Sequence, residues 1–193
     1  MPDLITSGFN ALNAFPVNAG LGYFQDDVNV IQFVVNNGTS SDPNPTGLRI
    51  RACLVEASPI DREYDISTGF NEDSLTILAN GAQDPDYVIT GPAGSGIGPG
   101  PSVVVSDNPL PVAGWLATSI QSKWVGPQAD ASGPTGDYTY SIEVNLPASV
   151  SAQLSALSGG FASDEEVADV LVNGTSAGVS GAVSAGRGWG GRA

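Results

Sequence analysis

Apolar and polar residues alternate along much of this chain with a period of two, which predicts β-strands. Val28–Val35 is apolar on both faces, as in a strand at the centre of a sandwich. Strand patterns also occur over Leu48–Leu54, Leu154–Ala162 and Val167–Val172. The clearest alternation places five apolar side chains on one strand face: Tyr138, Tyr140, Ile142, Val144 and Leu146.

Turn-forming residues separate these segments. Asn37-Gly38 and Asn173-Gly174 follow two predicted strands, and Asn-Gly pairs tolerate the positive φ that tight hairpins need. The one helix candidate, Ala148–Leu157, is short and rich in serine, a weak helix former. With 25 glycines and 14 prolines, the sequence predicts an all-β sandwich with many loops and almost no helix.

Several short elements resemble those of galactose-binding-like jelly-roll repeats from bacterial surface proteins that carry a sorting signal. In that family W-[IV]-x-P, Y-x-Y, A-x-D and [IV]-L-x-N-G elements come first, and F-V-V-N-N and P-T-G-L-R strands close the domain. Here the closing strands come first, so the two halves are in permuted order. The matching residues are Phe33–Asn37, Pro45–Arg49, Trp124–Pro127, Tyr138–Tyr140, Ala162–Asp164 and Val170–Gly174.

The resemblance implies a jelly-roll β-sandwich that is circularly permuted or completed by strand exchange. One domain would span residues 1–178, followed by a Gly/Ala-rich tail over 179–193. Residues 1–55 would supply the closing strands, 56–80 a connector and 81–178 the opening strands.

An unpaired central strand would leave its backbone donors and acceptors exposed. We therefore expect Val28–Val35 and Leu48–Leu54 to insert beside the strands Tyr138–Leu146 and Val167–Val172. Closure within one chain costs less entropy than association, which favours completion by the chain's own N-terminal strands over exchange between subunits.

The charge of the chain limits its partners. Twenty Asp and Glu residues against six Lys and Arg residues give a formal net charge of −14. Nucleic acids and anionic membranes bind clustered Lys and Arg, so neither is expected as a partner. No segment approaches the roughly 18 apolar residues of a membrane-spanning helix. The opening MPDLITSGFN has neither the basic nor the apolar region of a signal peptide.

The residue types also limit catalysis. The chain has no histidine and a single cysteine, which excludes a Ser-His-Asp or Cys-His site and histidine-ligated zinc or haem. The sequence favours a protein that is not an enzyme and has no cofactor, with calcium as the one possible ion. A hydrolase that uses paired carboxylates is the weakest alternative.

An acidic cluster lies at the start of the strand Val167–Val172. Its members Asp164, Glu166 and Asp169 form a candidate calcium site, because calcium prefers carboxylate oxygens. Acidic neighbours are frequent in so acidic a chain, and a solvated turn is the simpler interpretation. The resemblance implies that Asp164, within the A-x-D element, ties down the adjoining loop.

Trp115 and Trp124 are candidates for contact with a glycan, since exposed aromatic rings stack on sugars. The alternative is packing, because Trp124 belongs to the W-V-G-P element, and Tyr138 and Tyr140 share one strand face. Aromatic side chains are buried more often than exposed in folded proteins, which favours the packing role.

Two functions remain open. The first is a non-enzymatic structural subunit of an exterior assembly, a virion-surface protein or an extracellular filament, whose partners are further copies or neighbouring subunits. The second is a carbohydrate-binding or adhesion module with glycans as partners. Both place the protein on a virion exterior or outside a cell. The tail over 179–193 cannot bury enough apolar surface to fold by itself, so it is either flexible or docked on a partner.

Overall fold

A computed structural model describes residues 10–18, 20–39, 44–56, 62–71, 74–146 and 155–181. Within these ranges the regular structure is entirely β-strand, which confirms the predicted all-β class. The helix candidate Ala148–Leu157 is wrong at its C-terminal end, where Leu157 lies in a strand, and its residues 148–154 lie outside the described ranges. In chain order the strands are β1 (Asn13–Val17), β2 (Asp27–Asn36), β3 (Asn44–Pro45), β4 (Leu48–Glu56), β5 (Arg62–Asp65), β6 (Phe70–Asn71), β7 (Thr76–Ile77), β8 (Gln83–Thr90), β9 (Gly100–Val104), β10 (Val125–Gly126), β11 (Ser132–Gly133), β12 (Asp137–Leu146), β13 (Ala156–Ser163), β14 (Glu166–Val172) and β15 (Thr175–Ser176).

One antiparallel sheet contains most of these strands, in the order β1-β13-β4-β10-β9-β8-β12-β2-β14-β15. The strand β5 also pairs with β4, over Cys53–Glu56. The two-residue strand β10 joins two halves of the sheet. Its Val125 pairs with Leu48 of β4 on one side and with Val104 of β9 on the other. The first half consists of β1, β13, β4 and β5. The second half consists of β9, β8, β12, β2, β14 and β15.

The sheet curls so that its two halves pack against each other. Phe15 of β1 and Phe33 of β2 belong to different halves, yet their ring centroids are 5.7 Å apart and their planes meet at 85°. Phe161 of β13 lies 5.6 Å from Phe15. One continuous cluster of buried apolar side chains from both halves fills the space between them. The result is the sandwich-like core that the alternating pattern predicts.

The position of β2 confirms one part of the expected strand insertion. It lies between β12 and β14 of its own chain, where its Val35 is opposite Tyr138 on one side and Val167 on the other. All of β12, from Asp137 to Leu146, pairs with β2.

The other part of that expectation is wrong, because β4 pairs with β13, β5 and β10 rather than with β12 or β14. The physical reason is that β2 and β4 both present apolar side chains to the core. The two strands can cover this core from opposite sides only if they lie in different halves of the sheet. Gly159 of β13 permits this pairing, since a Cβ there would lie 2.3 Å from the Cβ of Ala52 on β4.

The predicted connector over 56–80 carries strands of its own, because β5 extends the sheet and β6 pairs with β7. The start of the predicted tail also has a place in the fold. After β15 the chain runs back along β14, and Gly181 donates its N–H to the carbonyl of Val167 at 2.9 Å. Residues 179–181 of the tail therefore dock on their own chain, whereas 182–193 lie outside the described ranges.

Replacing Phe33 with alanine should lower the free energy of unfolding by about 3–5 kcal/mol, because the ring is fully buried between the two halves. Val28 lies on the same strand with 41% of its surface exposed, so Val28→Ala should cost less than about 1 kcal/mol. Urea unfolding followed by tryptophan fluorescence measures both. Equal losses in the two variants would contradict the assigned core.

Candidate functional site

A cleft of about 400 Å³ opens between the two halves of the sheet. One wall is β5 with the residues after it, which contribute Tyr64 and Asp65. The bulged start of β8 and the C-terminal half of β12 form the rest, including Asp86 and Glu143. The cleft is a candidate site because it combines an open strand edge, a fixed floor and a uniform sign of charge.

The open edge belongs to β12. This strand pairs with β2 along its whole length, but with β8 only over Thr139–Ser141. Along Ile142–Leu146, no strand in the described part of the chain pairs with the edge that faces the cleft. Within the described ranges, the backbone donors and acceptors on that edge have no ladder partner, so an incoming extended segment could pair with them.

The local sequence of β8 explains why the pairing stops. The register of β8 against β9 shifts between Asp84 and Val88, which marks a bulge. Pro85 lies within it and has no N–H to donate to a ladder. The N-terminal part of β8, from Asp84 to Tyr87, therefore separates from β12. The cleft occupies the resulting gap.

Two buried contacts hold the floor of the cleft in place. The carboxylate of Asp84 is fully buried and accepts hydrogen bonds from the backbone N–H of Gly69 at 2.7 Å and of Asp86 at 3.1 Å. Burial raises the pKa of Asp84 to about 6, although these N–H donors oppose the shift. The hydroxyl of Tyr87 donates to the carbonyl of Ile66 at 2.5 Å. Both contacts tie the bulge of β8 to the segment that follows β5.

The charge of the lining selects what can enter. Asp65, Asp86 and Glu143 contribute carboxylates, and none of the described lining residues is basic. Apolar surface is present as well, since Val88 is 41% exposed at the edge of the cleft. This combination suits an extended segment that carries positive charge and an apolar side chain, and it disfavours anions.

The tryptophans considered for glycan contact are packed inside the protein instead. Trp115 and Trp124 are 4% and 0% exposed, and their rings stack with centroids 4.2 Å apart. Trp124 donates its Nε1–H to the carbonyl of Leu116 at 2.8 Å. The packing role favoured by the sequence is confirmed for both, as it is for the fully buried Tyr138 and Tyr140.

Asp164 anchors this tryptophan pair. Its Oδ1 accepts a hydrogen bond of 2.6 Å from Nε1 of Trp115, which fixes the loop that carries Trp115. Gly47, from the P-T-G-L-R element, leaves room for the ring, because a Cβ there would lie 2.8 Å from Cη2 of Trp115. Asp164 thus ties down a loop, the role that the family resemblance implied.

The candidate calcium site is not formed. Asp164 is engaged with Trp115, Asp169 accepts a hydrogen bond of 2.8 Å from the hydroxyl of Ser176, and Glu166 is exposed. No group of three Cys, Asp or Glu residues among those described is arranged to hold a metal ion. The simpler interpretation of a turn with separate polar contacts fits the structure better.

A buried arginine fastens the same loop to the outer face of β4. Arg49 is 3% exposed and donates to Oγ of Ser122 at 2.9 Å and to Oγ of Ser119 at 3.0 Å. It also donates to the carbonyl of Ala117. Burial, together with the nearby Arg51, lowers the pKa of the guanidinium. Arg49 is thus a structural clamp, held by neutral acceptors rather than by a carboxylate.

Comparison with protein-family models, with curated proteins and with solved structures found no match to this chain. No helix in the described ranges is long and apolar enough to cross a membrane. The cleft and the chemistry of the residues around it are therefore the features from which a function can be inferred.

Sequence reasoning missed both the cleft and the role of Arg49. Pro85 was the available signal for the cleft, since a proline inside a strand marks an edge or a bulge. For Arg49 the signal was weaker, because its partners lie about seventy residues away in a loop without regular structure. Only the folded arrangement brings them together.

Arg49→Lys should reduce the free energy of unfolding by about 1–3 kcal/mol, because an ammonium group cannot reach all the acceptors of the guanidinium. Arg51→Lys is the matched control. Arg51 is exposed on the same strand, so its replacement should change stability by no more than about 0.5 kcal/mol. Chemical denaturation provides the measurement, and an unchanged midpoint for Arg49→Lys would contradict the clamp.

Burial raises the pKa of Asp164 to about 6 from an ordinary value of 3.8. Because the pKa is higher in the folded state than in the unfolded chain, the fold is more stable when this carboxyl is protonated. That part of the free energy of unfolding is fully present below about pH 4 and is lost as the pH rises through 6. Asp164→Asn keeps an acceptor for Trp115 and removes this loss. The variant should match the wild type at pH 4 and exceed it by about 1–3 kcal/mol at pH 7, in urea unfolding. A constant difference at both pH values would contradict the assignment.

Proposed function

We propose that this protein is a non-enzymatic structural subunit of an exterior assembly, on a virion surface or in an extracellular filament. In this assembly the cleft between β5 and β12 receives an extended segment of a neighbouring copy. The observation that carries the proposal is the open edge of β12 along Ile142–Leu146.

An open edge of this kind supports docking by strand addition. The incoming segment gains main-chain hydrogen bonds from β12 and places alternate side chains in the cleft. Because Asp84 and Tyr87 already fix the floor, little ordering of the subunit is needed on binding. A strand paired on both sides along its whole length would offer no such edge.

The rest of the molecule supports a structural role over a catalytic one. The two carboxylates whose pKa is raised, Asp84 and Asp164, each hold a bulge or a loop in place. Neither lines the cleft. The carboxylates that do line it are arranged around a strand edge, which suits recognition of a positively charged segment.

Carbohydrate binding or adhesion is the second candidate, and one observation favours it. The cleft brings the ring of Tyr64 together with the carboxylates of Asp65, Asp86 and Glu143. Aromatic faces and carboxylates are common partners of sugar rings and sugar hydroxyls. A protein that stays monomeric and binds an immobilised glycan through Glu143 would favour this function over assembly.

Self-association of the full chain tests the proposal. The mean mass of the wild type in sedimentation experiments should rise with protein concentration. Glu143→Lys should move that rise to at least about tenfold higher concentration, the equivalent of about 1.4 kcal/mol. Its positive charge would face Asp65 in the cleft and repel an incoming basic segment.

Glu166→Lys is the matched control, because it changes the net charge by the same amount on an exposed residue of β14, level with the N-terminal end of β12 rather than with the part that lines the cleft. It should associate like the wild type. A wild type that remains monomeric up to millimolar concentration, or an equal loss in both variants, would contradict the proposal.

A further inference from the structure

The acidic cleft has a counterpart in the sequence of the same chain. Residues 182–193 read AVSAGRGWGGRA and contain no acidic residue. They carry Arg187 and Arg192, two of the six basic residues of the protein, with Trp189 between them. In a chain of net charge −14, this is a local concentration of positive charge around one large apolar side chain.

We propose that the segment 182–193 of one copy docks in the cleft between β5 and β12 of the next copy, so that the subunits join head to tail. This inference rests on the proposed function and names the occupant of its cleft. In the docked arrangement the arginines would face the carboxylates of Asp65 and Glu143, and Trp189 would cover the apolar surface near Val88, all of which line the cleft. Tryptophan and arginine are the residue types that most often dominate binding energy at interfaces.

The glycines that flank Trp189 suit a narrow site. A segment that adds to an edge inside a cleft must bring its backbone close to both walls, and glycine has no side chain to prevent this. The main-chain groups of the segment then pair with the open edge of β12. Arginine can bind a carboxylate with two parallel N–H groups, which fixes the position of the segment along that edge.

The direction of the chain favours a neighbouring copy over the segment's own cleft. Gly181 bonds to Val167 at the start of β14, near the position where Glu166 is opposite Asn36. Asn36 is in turn opposite Asp137, at the N-terminal end of β12. The cleft lies towards the C-terminal end of β12. To enter its own cleft, the chain would have to reverse after Gly181 and run back along the sheet.

A contact between two different surfaces of identical subunits need not close on itself. Each subunit in such an arrangement keeps one free cleft and one free segment, so copies add in one direction. This property would produce a filament, or a chain of subunits along a larger particle.

Three forms of the full chain test the inference by sedimentation velocity: the wild type, the cleft variant Glu143→Lys, and a segment variant with Arg187→Ser and Arg192→Ser. The wild type should form a ladder of species that grows with concentration. Each variant alone should need at least about tenfold higher concentration to associate.

An equimolar mixture of the two variants provides the decisive result. The cleft variant keeps an intact segment and the segment variant keeps an intact cleft, so the mixture should form heterodimers and stop there. Growth beyond dimers in the mixture, or no heterodimers at all, would overturn the head-to-tail arrangement.

The outcomes also separate this inference from the proposed function. If the wild type associates and Glu143→Lys prevents it, while the segment variant associates normally, the cleft is an assembly site and residues 182–193 are not its occupant. If the wild type does not associate at all, both proposals fail. Loss of association in both single forms, with heterodimers in their mixture, supports both.

Discussion

The long inner strands of a sheet need partners for their backbone donors and acceptors, and in this protein β2 supplies those partners along one edge of β12 and one edge of β14. It pairs with the full length of β12 on one side and with β14 on the other. Its Phe33 reaches across the core to Phe15. Without β2, two long strands and the core beneath them would be open to water, so the order of the sheet and its curl both depend on this strand.

The strands that are easiest to recognise in the sequence are those whose side chains alternate between core and solvent. Asp137–Leu146 and Leu48–Glu56 are examples, and both are strands in the structure. What alternation does not reveal is which strand lies beside which. The requirement that an inner strand be paired correctly placed β2 beside β12. It wrongly placed β4 in the same half, although both strands cover one core and must face each other. The pairing of β4 with β13 needs a glycine at position 159, where β13 comes close to Ala52 of β4. A pattern of apolar and polar residues does not predict such a contact.

The candidate site was harder to predict for a related reason. A cleft is defined by where pairing stops, and β8 stops pairing with β12 because of the bulge around Pro85. The sequence shows that Asp65 and Asp86 are acidic, but not that they lie near Glu143 on a distant strand. The family resemblance implied that Asp164 ties down a loop, whereas the cluster of Asp164, Glu166 and Asp169 suggested calcium only because that ion prefers carboxylate oxygens. In the structure, Asp164 accepts a hydrogen bond from Trp115 and Asp169 accepts one from Ser176 instead.

The net charge of −14 has a consequence for any assembly of identical subunits. Such subunits repel one another at long range, and salt near the physiological level limits that repulsion to about 8 Å. A docking contact must therefore act over a shorter distance and must bring opposite charges together. Placing two of the six basic residues in one segment and an acidic cleft elsewhere on the same chain would achieve this, because one geometry of contact is attractive while most others remain repulsive. Association through the cleft should accordingly be specific in orientation. It should also weaken at high salt if the arginine contacts outweigh the general repulsion, and strengthen if they do not.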